Sequence, residues 1–280
     1  MKNYSIEEKY CINILSDSDG TQKKYYKDGF WYKIDNVGRE GLAEELVSIV
    51  LSCSDYQDFV VYERCNINDK LGCRCKTFLE NKEQFVSFKT LYDNYLNRNL
   101  AEDIRQFETT KERFEFLIQF IKGIANIDVT KYLKATFTLD MLIKNPDRHF
   151  GNLGIILKSD GTFKTAPIFD NGQGLYQNFQ MTPPILEPEE KDARLFAATI
   201  SGSFEQQVIS TGVGLKINYE KLYEKLVLCP ESIAKNCLYQ QLKKYEYLLK
   251  FEEKQKGTTL QNVEIVTDLQ DNSSLLEEKE

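Results

Sequence analysis

Two short stretches of the sequence concentrate oxygen-bearing side chains: Asn145-Pro146-Asp147-Arg148-His149-Phe150-Gly151-Asn152 and, further on, Ile168-Phe169-Asp170-Asn171-Gly172. Transfer of a phosphoryl group needs a carboxylate near the acceptor hydroxyl and oxygen ligands for a magnesium ion bridging the phosphates. Asp147 and Asn152 stand five residues apart, the separation this chemistry uses between its base and its first metal ligand. Asp170, on a neighbouring loop, then becomes the second metal ligand. Asp, Asn and Gly are also ordinary loop residues, and a salt-bridged loop followed by a plain turn would account for either piece. It would not account for their order and separation.

The elements around these loops are readable from periodicity and turn chemistry. Apolar runs around Asp19-Gly20 and Asp28-Gly29 predict consecutive antiparallel hairpins, with FWYKI (30–34) as one strand. Leu42, Leu46, Ile49 and Val50 recur at helical spacing over 41–52, and a β run follows at 58–65. From about Gln84 the pattern turns helical. Thr109 and Glu112 form a capping-box match opening a helix that buries Phe114, Leu117, Ile118, Ile121, Ile124 and Ala125. A second helix carries Leu133, Phe137 and Met141 and must stop near Asn145, because Pro146 disfavours a helical predecessor. Residues 153–159 and 163–169 flank Asp160-Gly161 as a third hairpin, which delivers Asp170 at its end. Residues 177–217 read as irregular, helices resume over 219–228 and 230–253, and 257–280 reads as a mobile acidic tail.

Asp-Arg-His-x-x-Asn, a hairpin, and then a D-x-G-type loop resemble the HipA-like serine/threonine kinases, in the compact stand-alone form, and more distantly the phosphoinositide kinases. The resemblance covers roughly residues 16–207. It implies an α+β, bilobal protein-kinase-like fold, with a small β-rich N-lobe (1–80), a larger, mostly helical C-lobe (81–255) and a tail (256–280). It further implies Asp147 as catalytic base, Asn152 and Asp170 as magnesium ligands, and His149 as a loop-shaping or phosphate-proximal residue. A side chain that merely satisfies a backbone carbonyl is the plainer role for His149. Gly20-Thr21-Gln22-Lys23-Lys24 is similar to the family's phosphate-binding G-x-Q-x-K loop, which makes Gly20, Gln22 and Lys24 candidate ATP contacts. Lys33 stands where a kinase N-lobe places its phosphate-contacting lysine, and Glu44 where its ion-pair partner sits, with Glu45 as the alternative. Ser16 and Ser18 flank the position of a silencing autophosphorylation site, which here is Asp17. Gly202-Ser203-Phe204-x-x-Gln207 also matches the group, without a role that its residues explain.

Composition limits the alternatives. With 43 acidic against 36 basic residues and a net charge of −7, the chain builds no general cationic field for nucleic acid or an anionic membrane. The N-terminal sequence has no signal-peptide layout, and no apolar run is long enough to span a bilayer, so a cytoplasmic protein is expected. The seven cysteines are scattered, and free buried thiols fit them better than a zinc site at Cys65, Cys73 and Cys75. The expected function is ATP- and magnesium-dependent phosphorylation of a protein serine or threonine; the resemblance leaves a toxin-type role and an antitoxin partner open. The rivals are a lipid or small-molecule kinase and a nucleotide-binding regulator without turnover.

Overall fold

The computed structural model describes residues 1–12, 22–36, 38–177 and 195–251. Gly20, Ser16 and Ser18 therefore lie outside the described residues. The first part is a five-stranded sheet in the order β1-β4-β5-β3-β2, built from β1 (Lys2–Tyr4), β2 (Lys24–Lys27), β3 (Phe30–Ile34), β4 (Tyr62–Ile67) and β5 (Lys70–Lys76). β1 runs parallel to β4, and the other pairs are antiparallel. The β2–β3 turn places Asp28 at φ 51° and Gly29 at φ 78°, the left-handed pair that matches strand twist in a two-residue hairpin.

Helix α1 (Glu40–Ser52) buries Leu42, Leu46, Val47, Val50 and Leu51. Its first turn approaches β5 so closely that a Cβ on Gly41 would stand 2.6 Å from the carbonyl carbon of Gly72. A larger residue at Gly41 would push the helix off the sheet, and one at Gly72 would run into the Lys33 carbonyl of β3, 2.1 Å from its Cβ.

A second sheet, ordered β6-β7-β8, comprises β6 (Gln84–Ser87), β7 (Gly154–Leu157) and β8 (Phe163–Thr165). Around it pack α2 (Phe88–Leu96), α3 (Leu100–Asp103), α4 (Thr110–Ala125), α5 (Thr130–Ile143), α6 (Phe204–Thr211), α7 (Tyr219–Val227), α8 (Ile233–Lys244) and α9 (Glu246–Leu249). Leu117, Ile121, Leu133, Phe137, Leu222 and Leu238 belong to one core, each contributing roughly 1.5–3 kcal/mol by burial. The capping box of α4 is closed in both directions: Glu112 N–H donates to Thr109 Oγ1 at 3.1 Å, and Thr109 N–H to Glu112 Oε2 at 2.9 Å. α5 ends at Ile143, and Lys144 turns the chain at φ 51° ahead of Asn145-Pro146.

Four expectations change. Residues 84–87 are a strand, because their backbone groups pair with β7. Residues 204–211 are a helix, capped by Ser203 and burying Phe204, Gln207, Val208 and Thr211 at helical spacing. The last helical stretch is two helices that meet at Tyr245. Within 163–169 the strand ends at Thr165, two residues before Pro167, which has no N–H to donate. Cys65 packs in a different cluster from Cys73 and Cys75, so the three thiols do not converge.

Candidate active site

The loop after α5 is held from inside by Arg148, which is 1% exposed. Its guanidinium forks onto Asp140 of α5, with Nε 3.1 Å from Oδ2 and Nη2 3.1 Å from Oδ1. The remaining donors reach the other loop: Nη1 to the Phe169 carbonyl at 2.6 Å and Nη2 to Asn171 Oδ1 at 2.5 Å. One buried cation thereby sets the spacing of the two oxygen-rich loops, using the planar fork that only arginine has. Thr199 Oγ1 donates to the Arg148 carbonyl at 2.5 Å, tying the segment before α6 to the same loop.

The loop's N-terminal hinge is also anchored. Lys144 Nζ is buried against Glu205 Oε1 at 2.7 Å and Tyr245 OH at 3.0 Å, and Tyr245 OH donates to Glu205 as well. Phe204 lies beneath the Lys144 ammonium, and Gln207 Oε1 accepts from Ile200 N–H at 3.1 Å. The Gly202–Gln207 stretch is thus a clamp on the loop that carries Asp147.

Within the loop, Asn152 Nδ2 donates to the Asp147 carbonyl at 2.9 Å, which leaves Oδ1 as that side chain's free acceptor. Gly151 N–H donates to His149 Nδ1 at 3.0 Å. His149 therefore shapes the loop by accepting from the backbone rather than by satisfying a carbonyl.

From the sheet side, Lys33 Nζ, on a residue only 7% exposed, lies 3.0 Å from Glu44 Oε1 and 2.7 Å from Asp170 Oδ1. Glu44 Oε2 accepts from Asn171 N–H at 3.0 Å, joining α1 to the same loop. Glu45 points elsewhere, accepting from Arg64 N–H at 3.2 Å. Burial works against ionisation of all three groups; the opposite charges outweigh it at Lys33 and Asp170, whereas at Glu44 burial prevails over Lys33 and lifts the carboxyl above its usual range. Lys33 is held well above the usual lysine range by Asp170, Tyr62 and Glu44. Burial notwithstanding, Lys33 and then Lys24 hold the Asp170 carboxyl well below the usual carboxylate range.

These groups face a cavity of about 210 Å³. Lys24, Lys33, Asn152 and Asp170 form its polar end, while Trp31, Cys75, Phe78, Phe85 and Phe169 form its apolar end. Phe78 and Phe85 pack on Phe169 with ring centroids 5.3 and 5.2 Å apart. A larger hollow of about 360 Å³, lined by Asp58, Lys76 and Lys164, lies on the other side of Thr77 and Phe78 and contains none of the candidate residues.

No protein-family model and no curated protein matches the sequence. The fold does have a match among solved structures: a Helicobacter pylori proinflammatory kinase, CtkA, with 16% sequence identity and a TM-score of 0.58, over 81% of this chain and 90% of that one. The fold is kinase-like. At that identity the likeness concerns the architecture alone, and the site must be argued from its own geometry.

In this kinase-like frame, Lys24, Lys33, Asn152 and Asp170 line one cleft, Glu44 stands behind Lys33 without lining it, and Asp147 is on the same loop as Asn152 but does not line it. Lys24, opposite Lys33 across the β2–β3 ladder, makes no ion pair among the described residues. Burial lowers its pKa, with Asp170 opposing, and Asp147 also lies within its field. Gln22 has a buried Nε2 without a partner among the described residues. His149 does not line the cavity. Arg148, Asp140, Asn171, Tyr62 and Thr199 were not anticipated as parts of the site. One signal did exist: an aspartate at position 140, inside an otherwise apolar helix face, demands a buried partner.

Proposed function

We propose that this protein is an ATP- and magnesium-dependent kinase that phosphorylates a serine or threonine hydroxyl of a protein. The observation that carries the reading is the convergence of the Glu44–Lys33–Asp170 ion-pair chain and Asn152 on one cleft with an apolar end. The donor set suits magnesium: Asp170 is kept ionised, and Asn152 has its amide nitrogen engaged and its oxygen left over, which are hard oxygen ligands. Bound magnesium would neutralise charge on the phosphates. The apolar slot walled by Phe78, Phe85 and Phe169 fits a planar base.

The chain's own groups divide the work. Lys33 and Lys24 supply positive charge over the phosphates, and Lys33 is oriented by Glu44. Asp147 accepts the hydroxyl proton as the acceptor oxygen bonds to the γ-phosphorus of ATP and the bond from that phosphorus to the bridging oxygen breaks, with ADP leaving; its loop is held in place through Arg148. A protein acceptor is favoured over a lipid because a net charge of −7 builds no general cationic field toward an anionic bilayer.

The test is transfer of label from γ-labelled ATP by wild-type protein and Asp147→Ala, offered a protein mixture and lipid vesicles separately. Label on protein serine or threonine, lost in the variant, is expected. Label in lipid alone would overturn the acceptor assignment, and ATP binding without transfer to either would overturn the enzyme.

A further inference from the structure

We infer that Tyr62 is the positioning residue that holds Lys33 and the Asp170 backbone in place when metal and nucleotide bind; this rests on the phosphotransferase reading and deepens it. Tyr62 opens β4 and is 4% exposed. Its hydroxyl oxygen accepts from Asp170 N–H at 3.3 Å and from Lys33 Nζ at 3.4 Å, and the ammonium lies 4.8 Å from the ring centroid. Its backbone is fixed as well: Tyr62 N–H donates to Ser48 Oγ at 2.9 Å, and that hydroxyl donates to the Glu44 carbonyl at 2.8 Å. One residue thus touches the strand lysine, the turn of α1 that bears Glu44, and the loop that bears Asp170.

The physical need follows from the ion-pair geometry. Lys33 now has a carboxylate on either side. A metal ion that claims Asp170 takes one of them away, and the ammonium must stay where the phosphates arrive. Besides Glu44, the Tyr62 oxygen and ring face are what remain to hold it, a hydrogen bond and a cation–π contact in a desolvated setting. Asp170 itself sits at φ 57°, left-handed backbone that a non-glycine residue keeps only when its surroundings enforce it. The Tyr62 oxygen enforces it at the N–H, and Arg148 Nη1 donates to the Asp170 carbonyl at 3.4 Å on the other side. Without the oxygen, a buried N–H loses its partner and the loop that aims the metal ligand is free to relax.

Trp31, the single tryptophan, lines the cleft and supplies the readout. Magnesium would be titrated into full-length wild type and Tyr62→Phe at fixed ADP while Trp31 emission is followed, and metal-free ADP affinity measured by calorimetry. Tyr62→Phe keeps the ring and deletes the oxygen; it is expected to need roughly ten-fold more magnesium with little change in metal-free affinity. Tyr62→Leu, which also removes the ring face, should shift further. Equal magnesium midpoints for wild type and Tyr62→Phe would overturn the role of Tyr62 while leaving the kinase reading intact. Equal losses with and without metal would mark a purely structural residue and overturn it too. A wild-type protein with no magnesium response would overturn the kinase reading and this inference with it.

Discussion

Asp147 lies within the field of Asp170, yet their surroundings push the two carboxyls in opposite directions. Burial raises the Asp147 carboxyl above its ordinary value, with His149 opposing and Asp170 reinforcing. Asp170 is held low by Lys33 and Lys24 against its own burial. An always-ionised carboxylate suits a metal, and one lifted toward neutrality suits proton transfer. Asp147→Asn is therefore expected to keep magnesium-dependent ADP binding while single-turnover transfer falls roughly 10²-fold or more. Asp170→Ala should lose metal-dependent binding as well; calorimetry beside rapid-quench kinetics separates them, and equal loss of binding in both would refute the division. The sign of the Asp147 shift also places the acid limb of kcat/KM above the ordinary aspartate value of about 3.9. Lys33→Met is a second residue-scale test. It leaves the buried Glu44 uncompensated, so activity and stability should fall together, the latter by about 3–5 kcal/mol in chemical denaturation. Full activity in Lys33→Met would remove the lysine from the mechanism.

The element that orients Glu44 is α1, and its entry is fixed by Asp35. Asp35 Oδ1 accepts from Gly41 N–H at 2.8 Å, while Oδ2 is buried without a partner among the described residues. Burial pushes the carboxyl up from 3.8 to about 6, with the Gly41 hydrogen bond opposing. A carboxyl whose folded pKa is raised binds more protons folded than unfolded, so its contribution is present below the unfolded value and is lost as pH rises through the folded one. Asp35→Asn keeps an acceptor for Gly41 but cannot ionise. Relative to the wild type it should gain stability as pH rises from roughly 4 to 6 and hold that gain above. Thermal midpoints of both proteins across that range decide it, and a pH-independent difference would show that folding does not shift the Asp35 carboxyl.

At the scale of the whole molecule, the sheet part and the helical part share an apolar core in which Leu46, Val50 and Leu51 of α1 join the helices, and polar ties cross between them beside the cleft: Lys33 to Asp170, Asn171 to Glu44, and Arg39 N–H to Gln177 Oε1 at 2.9 Å. None of the helices among the described residues is long and apolar enough to cross a membrane. A ligand that needs both parts assembled stabilises the assembled state by mass action, about 2.7 kcal/mol at a hundred-fold excess over Kd. Magnesium with ADP should therefore raise the melting midpoint of the wild type more than ADP alone, and Asp170→Ala should lose the increment due to metal. If magnesium adds nothing to the wild type, the two parts do not share a metal–nucleotide site.

What the sequence determined by itself is whatever depends on partners a few residues away. The Asp28-Gly29 turn, the Thr109–Glu112 capping box and the stop before Pro146 are of this kind, since their hydrogen bonds and steric conflicts close within one turn of chain. The order of Asp147, Asn152 and Asp170 belongs here too, because the loop spacing is itself sequence. The strand at 84–87 could not be read in this way: its partners are residues 154–157, and an isolated QFVS has no reason to be extended until they arrive. Glu44 and Glu45 are adjacent on a helix and differ only in which way they face, so the choice between them waited on where α1 meets the sheet. The same holds for Arg148 with Asp140 and for Tyr62 with Asp170. Each pairs groups from different elements, and a buried polar group declares its role only when the fold brings the other half within about 3 Å.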